Sequence, residues 1–149
     1  MAITVTADAQ SKVYGAADPA LTYTFSPALI PGDTFSGALT RAAGEGVDTY
    51  AITQGNLALS SNYTLNYVGA KLDITPRALT ITANNRTKTY GDTITFAGTE
   101  FTTDGLVNGD SVGSVTLTST GAAASATVAG SLYSIVPSAA LGAWVTTGT

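Results

Sequence analysis

The chain has 149 residues, with six Lys or Arg against ten Asp or Glu and a net charge of −4. That balance supplies no basic surface for phosphates or anionic lipid heads, which speaks against nucleic acid and membrane-surface partners. Cys and His are both absent, and with them go disulfides, thiolate nucleophiles, imidazole bases, Ser-His-Asp triads and the usual zinc and copper ligand sets.

Charged residues make up 11% of the chain, well below the usual value of about 25%, and Thr, Ser and Gly stand in their place. Disordered chains combine low hydrophobicity with high net charge; at 44% apolar this one is expected to fold. In chain order, Ile3-Thr4-Val5-Thr6 alternates as a half-buried strand does and leaves no basic, apolar stretch to serve as an export signal. No run reaches the roughly 18 apolar residues of a membrane span. Leu21, Tyr23 and Phe25 share one face of a second strand, with Thr22 and Thr24 on the other. Pro31-Gly32 marks a turn, and Gly44-Glu45-Gly46 reads as a hairpin connection between Leu39-Thr40 and Tyr50-Ala51-Ile52. Tyr63, Leu65 and Tyr67, then Leu72 and Ile74, alternate again, with Gly69-Ala70 expected as a hairpin turn between them. No segment sustains a helical period; Ala122-Ala123-Ala124 is short and bracketed by Gly121 and Ser125, so strand or loop is equally open to it.

The second half repeats the first. Ile3-Thr4-Val5-Thr6-Ala7 recurs as Leu79-Thr80-Ile81-Thr82-Ala83, an offset of 76 at which Lys12, Tyr14 and Gly15 fall on Lys88, Tyr90 and Gly91. Leu29-Ile30-Pro31-Gly32-Asp33 meets Leu106-Val107-Asn108-Gly109-Asp110 one residue later, at 77, and Tyr50-Ala51-Ile52 meets Tyr133-Ser134-Ile135 at 83. Insertions thus fall between elements, where loops absorb them. The modules are expected at residues 1–76 and 77–149. Pro76 at the seam stops one sheet and hands on an extended chain, which predicts two beads coupled end to end as a stiff rod. The second module lacks a counterpart of the Asn-Tyr-Thr-Leu segment that begins at Asn62, so its closing hairpin is expected to be absent. Such a module exposes an unpaired edge and invites dimerisation or strand exchange. The abrupt start and finish suggest a piece of a longer tandem array.

The motif carried by Lys12, Tyr14, Gly15, Gly32, Asp33, Tyr50, Ile52, Asn62, Tyr63 and Pro76 resembles the MBG-type repeats, in the Tyr-Gly form, of bacterial surface adhesins and haemagglutinin-like proteins. In the second copy Lys88, Tyr90, Gly91, Gly109, Asp110 and Tyr133 continue it. The resemblance implies an all-β chain of two small β-grasp-like or β-sandwich modules. It also implies a non-enzymatic stalk outside the cell that projects a distal binding domain. No catalytic, cofactor-binding or metal-binding residue is carried over. Adjacent repeats are the implied partners; a homodimer through the second module's edge and a host glycan or protein ligand stand as further options.

Several residues nevertheless carry polar chemistry. Lys12 shares a strand face with Tyr14, as Lys88 does with Tyr90, and the plain expectation is a lysine stem beside a ring with its ammonium in water. The sharper alternative is an intramolecular amide bond from a desolvated Lys12 to Asn62 or Asn66, catalysed by a nearby acid such as Asp33. Asp33, Asp110 and Asp18 read as turn stabilisers with solvated carboxylates, since no acidic cluster of calcium-binding spacing surrounds them. Glu45 with Asp48 and Glu100 with Asp104 are the formal carboxylate pairs for acid-base work, but they sit in loops without an evident cleft. Tyr23, Tyr50, Tyr63 and Tyr67 could stack on sugar rings; their alternation with Thr favours core packing. Asn62-Tyr63-Thr64 and Asn85-Arg86-Thr87 match a glycosylation sequon. Trp144 falls in the stretch that departs from the repeat.

Overall fold

Strand-forming Thr, Val, Ile and Tyr dominate both halves, and the computed structural model, which describes residues 1–143, is accordingly all-β: strands hold 40% of the chain and helical turns 4%. Two units divide it, Met1–Arg77 and a second that begins at Ala78. Trp144 lies outside the described residues.

The first unit contains β1 (Ala2–Ala7), β2 (Gln10–Val13), β3 (Tyr23–Ser26), β4 (Thr40–Arg41), β5 (Thr49–Thr53), β6 (Thr64–Val68) and β7 (Ala70–Thr75). They form a three-stranded sheet ordered β3-β1-β6 and a four-stranded sheet ordered β2-β7-β5-β4. Period-two patterning turns Ile3, Val5 and Ala7 inward from the first sheet and Ile52, Leu72 and Ile74 inward from the second. With Leu39 and Leu57 they make one core, so the two sheets face each other as in a sandwich. Each fully buried aliphatic side chain there contributes about 1.5–3 kcal/mol.

The connection at Gly69 is not the expected hairpin. β6 and β7 do not pair with each other: β6 pairs parallel to β1, and β7 parallel to β2 and antiparallel to β5. A hairpin needs at least two turn residues, and one glycine can only bend the chain. Residues 64–75 are therefore one bent strand crossing from sheet to sheet. It runs alongside residues 2–13, which bend the same way at Asp8-Ala9. The register is constant throughout, Ala2 opposite Thr64 and Val13 opposite Thr75, a separation of 62 at both ends.

The second unit contains β8 (Thr80–Ala83), β9 (Phe101–Asp104), β10 (Ser111–Thr118), 3-10 turns at Thr120–Ala122 and Val128–Gly130, and β11 (Val136–Ala143). The Ala-rich run thus opens in a 3-10 turn. Its two ladders copy two of the first unit's. Ala83 faces Phe101 as Ala7 faces Tyr23, and Thr118 faces Val136 as Thr40 faces Thr53. Even the isolated Ser36–Ala58 bridge recurs, as Ser114 opposite Leu141. Among the described residues, no strand repeats β6, β7 or β2. Among the described residues the second unit thus repeats two antiparallel ladders of the first and neither of its parallel ones.

Candidate functional site

In β2 the alternation that sends Tyr14 toward the core also sends Lys12 inward. The expectation of an ammonium in water fails: Lys12 is 8% exposed. Its Nζ lies 2.6 Å from Asp18 Oδ1 and 2.5 Å from Glu45 Oε2. Arg41 closes the ring, its Nε 2.7 Å from Asp18 Oδ2 and its Nη2 on Glu45 Oε1. Two cations and two anions thus neutralise one another across β2, β4, the loop after β2 and the connection between β4 and β5. Asp18, expected to be a solvated turn residue, instead serves both cations. The guanidinium also lies over the Tyr50 ring, 5.5 Å from its centroid.

The cage keeps its members ionised. Hydrogen bonds from Arg41, then Lys12, hold the Asp18 carboxyl down at about 2, and the hydrogen bond from Lys12 likewise lowers Glu45. Burial pulls Lys12 down, but the hydrogen bonds and charges of Asp18 and Glu45 outweigh it and leave the ammonium above its ordinary value. Amide formation needs a neutral amine and a carbonyl partner. Lys12 instead stays a cation among carboxylates, and it is the Met1 amine that reaches Asn62, at 3.0 Å from the main-chain oxygen.

The other motif residues have local structural roles. Tyr14 and Gly15 occupy the centre of a turn closed by Ala16 N donating to Val13 O at 2.9 Å, and Tyr90 and Gly91 repeat it with Asp92 N donating to Thr89 O at 3.1 Å. Gly15 at φ 80° and Gly91 at φ 94° hold the left-handed corner such a turn requires. Asp33 N donates to Ile30 O at 3.0 Å across Pro31-Gly32, as Asp110 N does to Val107 O at 2.9 Å across Asn108-Gly109. The Tyr63 hydroxyl donates to Asp33 Oδ2 at 2.5 Å and accepts from Ile30 N at 3.1 Å, pinning that turn to the start of the crossing strand. Tyr50 donates to Gly46 O at 2.9 Å, and its ring lies against Gly44, where a Cβ would fall 2.2 Å from a ring carbon. Tyr133 donates to Thr127 O at 3.0 Å, fastening its own, longer connection. Pro76 follows β7 on the surface.

Tyr23, Tyr50, Tyr63 and Tyr67 pack against the first unit's core, as the alternation suggested, and Tyr14 joins them. Glu100 accepts main-chain hydrogen bonds from Ala97, Gly98 and Thr99 and pairs with Arg86 at 3.1 Å. The Ala97 amide is the main cause holding its carboxyl below the usual range. Glu45 and Glu100 are both pushed toward the ionised form, opposite to what a general acid needs. No metal-sized cluster of carboxylates occurs among the described residues.

In the second unit the motif lysine has different partners. Lys88 donates to main-chain oxygens of Asp92, at 2.9 Å, and of Ala123. The expected strand face shared with Tyr90 does not form: Tyr90 is a turn residue, 65% exposed.

A family model, the MBG domain of the YGX type, matches residues 3–73 and again residues 79–143. No curated protein and no solved structure matches the chain.

Proposed function

Because the chain belongs to the MBG domain family of the YGX type, a structural, non-catalytic repeat kind found in bacterial surface proteins, we propose that it is a load-bearing spacer in the stalk of an extracellular adhesin, with no reaction of its own. The observation that carries this reading is the parallel ladder between residues 2–13 and 64–75. In a parallel pair, the start of one strand and the end of the other lie at opposite ends of the ladder. Tension applied through the unit's own ends therefore loads all its hydrogen bonds together in shear, whereas tension at one end would open them one after another.

The charge cage supports the same reading, since it ties two loops to strands of the second sheet without leaving a reactive group unpaired. The Thr-rich outer faces keep such a module soluble with few charges. Neighbouring repeats of the array are the partners this role requires.

Single-molecule pulling tests it, and the cysteine-free chain accepts unique thiol handles. With handles at Ala2→Cys and Arg77→Cys the first unit is loaded in shear. With Ala2→Cys and Ser61→Cys the same ladder is peeled from one end. Shear unfolding at a force several times the peeling force is expected; equal forces would overturn the proposal.

A further inference from the structure

The same strands are buried in one unit and half-buried in the other. Ile3, Val5 and Ala7 are 0%, 0% and 6% exposed, whereas their counterparts Leu79, Ile81 and Ala83 stay half-buried, as does Ile135 against Ile52 at 2%. Val115 and Leu117 are the two large apolar side chains of the second unit that reach full burial among the described residues. The second unit also holds a groove of about 640 Å³, lined by Ala83, Arg86, Lys88, Phe96, Tyr133 and Ile135 among others.

The repeat offsets say what belongs in that groove. Residues 86–89 correspond to β2 and residues 132–136 to β5, and in the first unit β7 lies between β2 and β5. The groove therefore stands at the position of β7. Continuing along the same line, β8 bonds only β9 among the described residues, while its counterpart β1 carries β6 on its other edge. Groove and edge together follow the path that one bent strand takes in the first unit.

We propose that the second unit is a strand acceptor that binds an extended segment with the pattern of residues 64–75. The segment lies parallel to residues 78–89. Apolar side chains at the positions of Leu65, Tyr67, Leu72 and Ile74 face inward, and a small residue at the position of Gly69 makes the crossing. Its register follows from the first unit: the counterpart of Leu65 falls opposite Leu79 and that of Ile74 opposite Lys88. The ladder gives affinity through main-chain hydrogen bonds, and the groove selects the alternate side chains, as in other strand-addition complexes. A folded second copy does not offer this segment, because its own Leu72 is 0% exposed in its first unit.

The test adds a synthetic peptide of residues 62–76 to the full chain, with binding followed by calorimetry and hydrogen exchange. Saturable one-to-one binding is expected, with exchange slowed in residues 79–89 and 132–136 and unchanged in 2–13. A peptide carrying Leu72→Asp and Ile74→Asp should bind at least about tenfold more weakly, since two buried contacts become charges. Absence of binding, equal affinity of the two peptides, slowing confined to residues 2–13, or a β8 edge already protected in the free chain would each overturn the proposal. The pulling experiment addresses the first unit alone, so the two readings can fail separately.

Discussion

Two copies of one pattern sit in this chain, and among the described residues the strand that crosses between sheets occurs in the first copy alone. In the first, residues 64–75 join both sheets, supply Leu72 and Ile74 to the core, and lie beside the strand that holds Lys12. In the second, the ladders β8–β9 and β10–β11 keep the register of their counterparts, yet Leu79, Ile81 and Ala83 remain half-buried where Ile3, Val5 and Ala7 are buried. Pairing register is thus a local property, set by alternation and turn geometry. Core burial is not local, because it waits for the strand that bridges the sheets.

The largest effect expected from breaking this comparison is at Leu72. Truncation to Ala removes a side chain that is 0% exposed and should cost the first unit about 2–5 kcal/mol. Urea unfolding followed by hydrogen exchange should show the loss in residues 2–75 and none in the second unit; a loss shared equally would erase the distinction.

Next comes Lys12→Met, which strips the cage of one cation. Breaking a fully buried ion pair costs about 3–5 kcal/mol, but the Asp18 and Glu45 side chains are 44% and 40% exposed, and solvent screening brings the expectation to about 1–3 kcal/mol. Lys88→Met removes only bonds to main-chain oxygens and should cost about 1 kcal/mol. Equal losses in the two variants would show that the cage adds nothing to the motif lysine.

A pH titration sharpens the same contrast. Asp18 is held at about 2 in the folded state, below its unfolded value of about 3.9. Its contribution is therefore complete above pH about 4 and is lost as pH falls toward 2. The first unit should weaken across that window, and Asp18→Asn should flatten the response. The smallest effect is expected at Tyr63→Phe, which deletes the hydroxyl shared by Asp33 and Ile30 and should lower the thermal unfolding midpoint only slightly.

The strands and the duplication were readable from Thr alternation and the recurring Lys-x-Tyr-Gly turn, because both are encoded within a few residues. The strand partners were not. Alternation at Tyr63, Leu65 and Tyr67, and at Leu72 and Ile74, is the same whether two strands pair or one strand crosses between sheets. The single Gly69 between them was the available clue, being too short for a hairpin. The cage was hidden for a different reason. Asp18 and Glu45 sit in loops that only tertiary structure brings to Lys12, and a lysine in a Thr-rich strand reads as exposed until its shared face with the inward Tyr14 is taken literally. The Tyr63–Asp33 bond joins residues 30 positions apart, a separation at which the motif records both partners without linking them.

Residue-resolved hydrogen exchange on the intact chain tests the central claim most directly, since it reads both copies under identical conditions. If the crossing strand completes the module, amides of Ile3, Val5 and Lys12 should exchange only through global unfolding of the first unit, while those of Leu79, Ile81 and Lys88 exchange orders of magnitude faster. Equal protection at the two sets of positions would contradict the account.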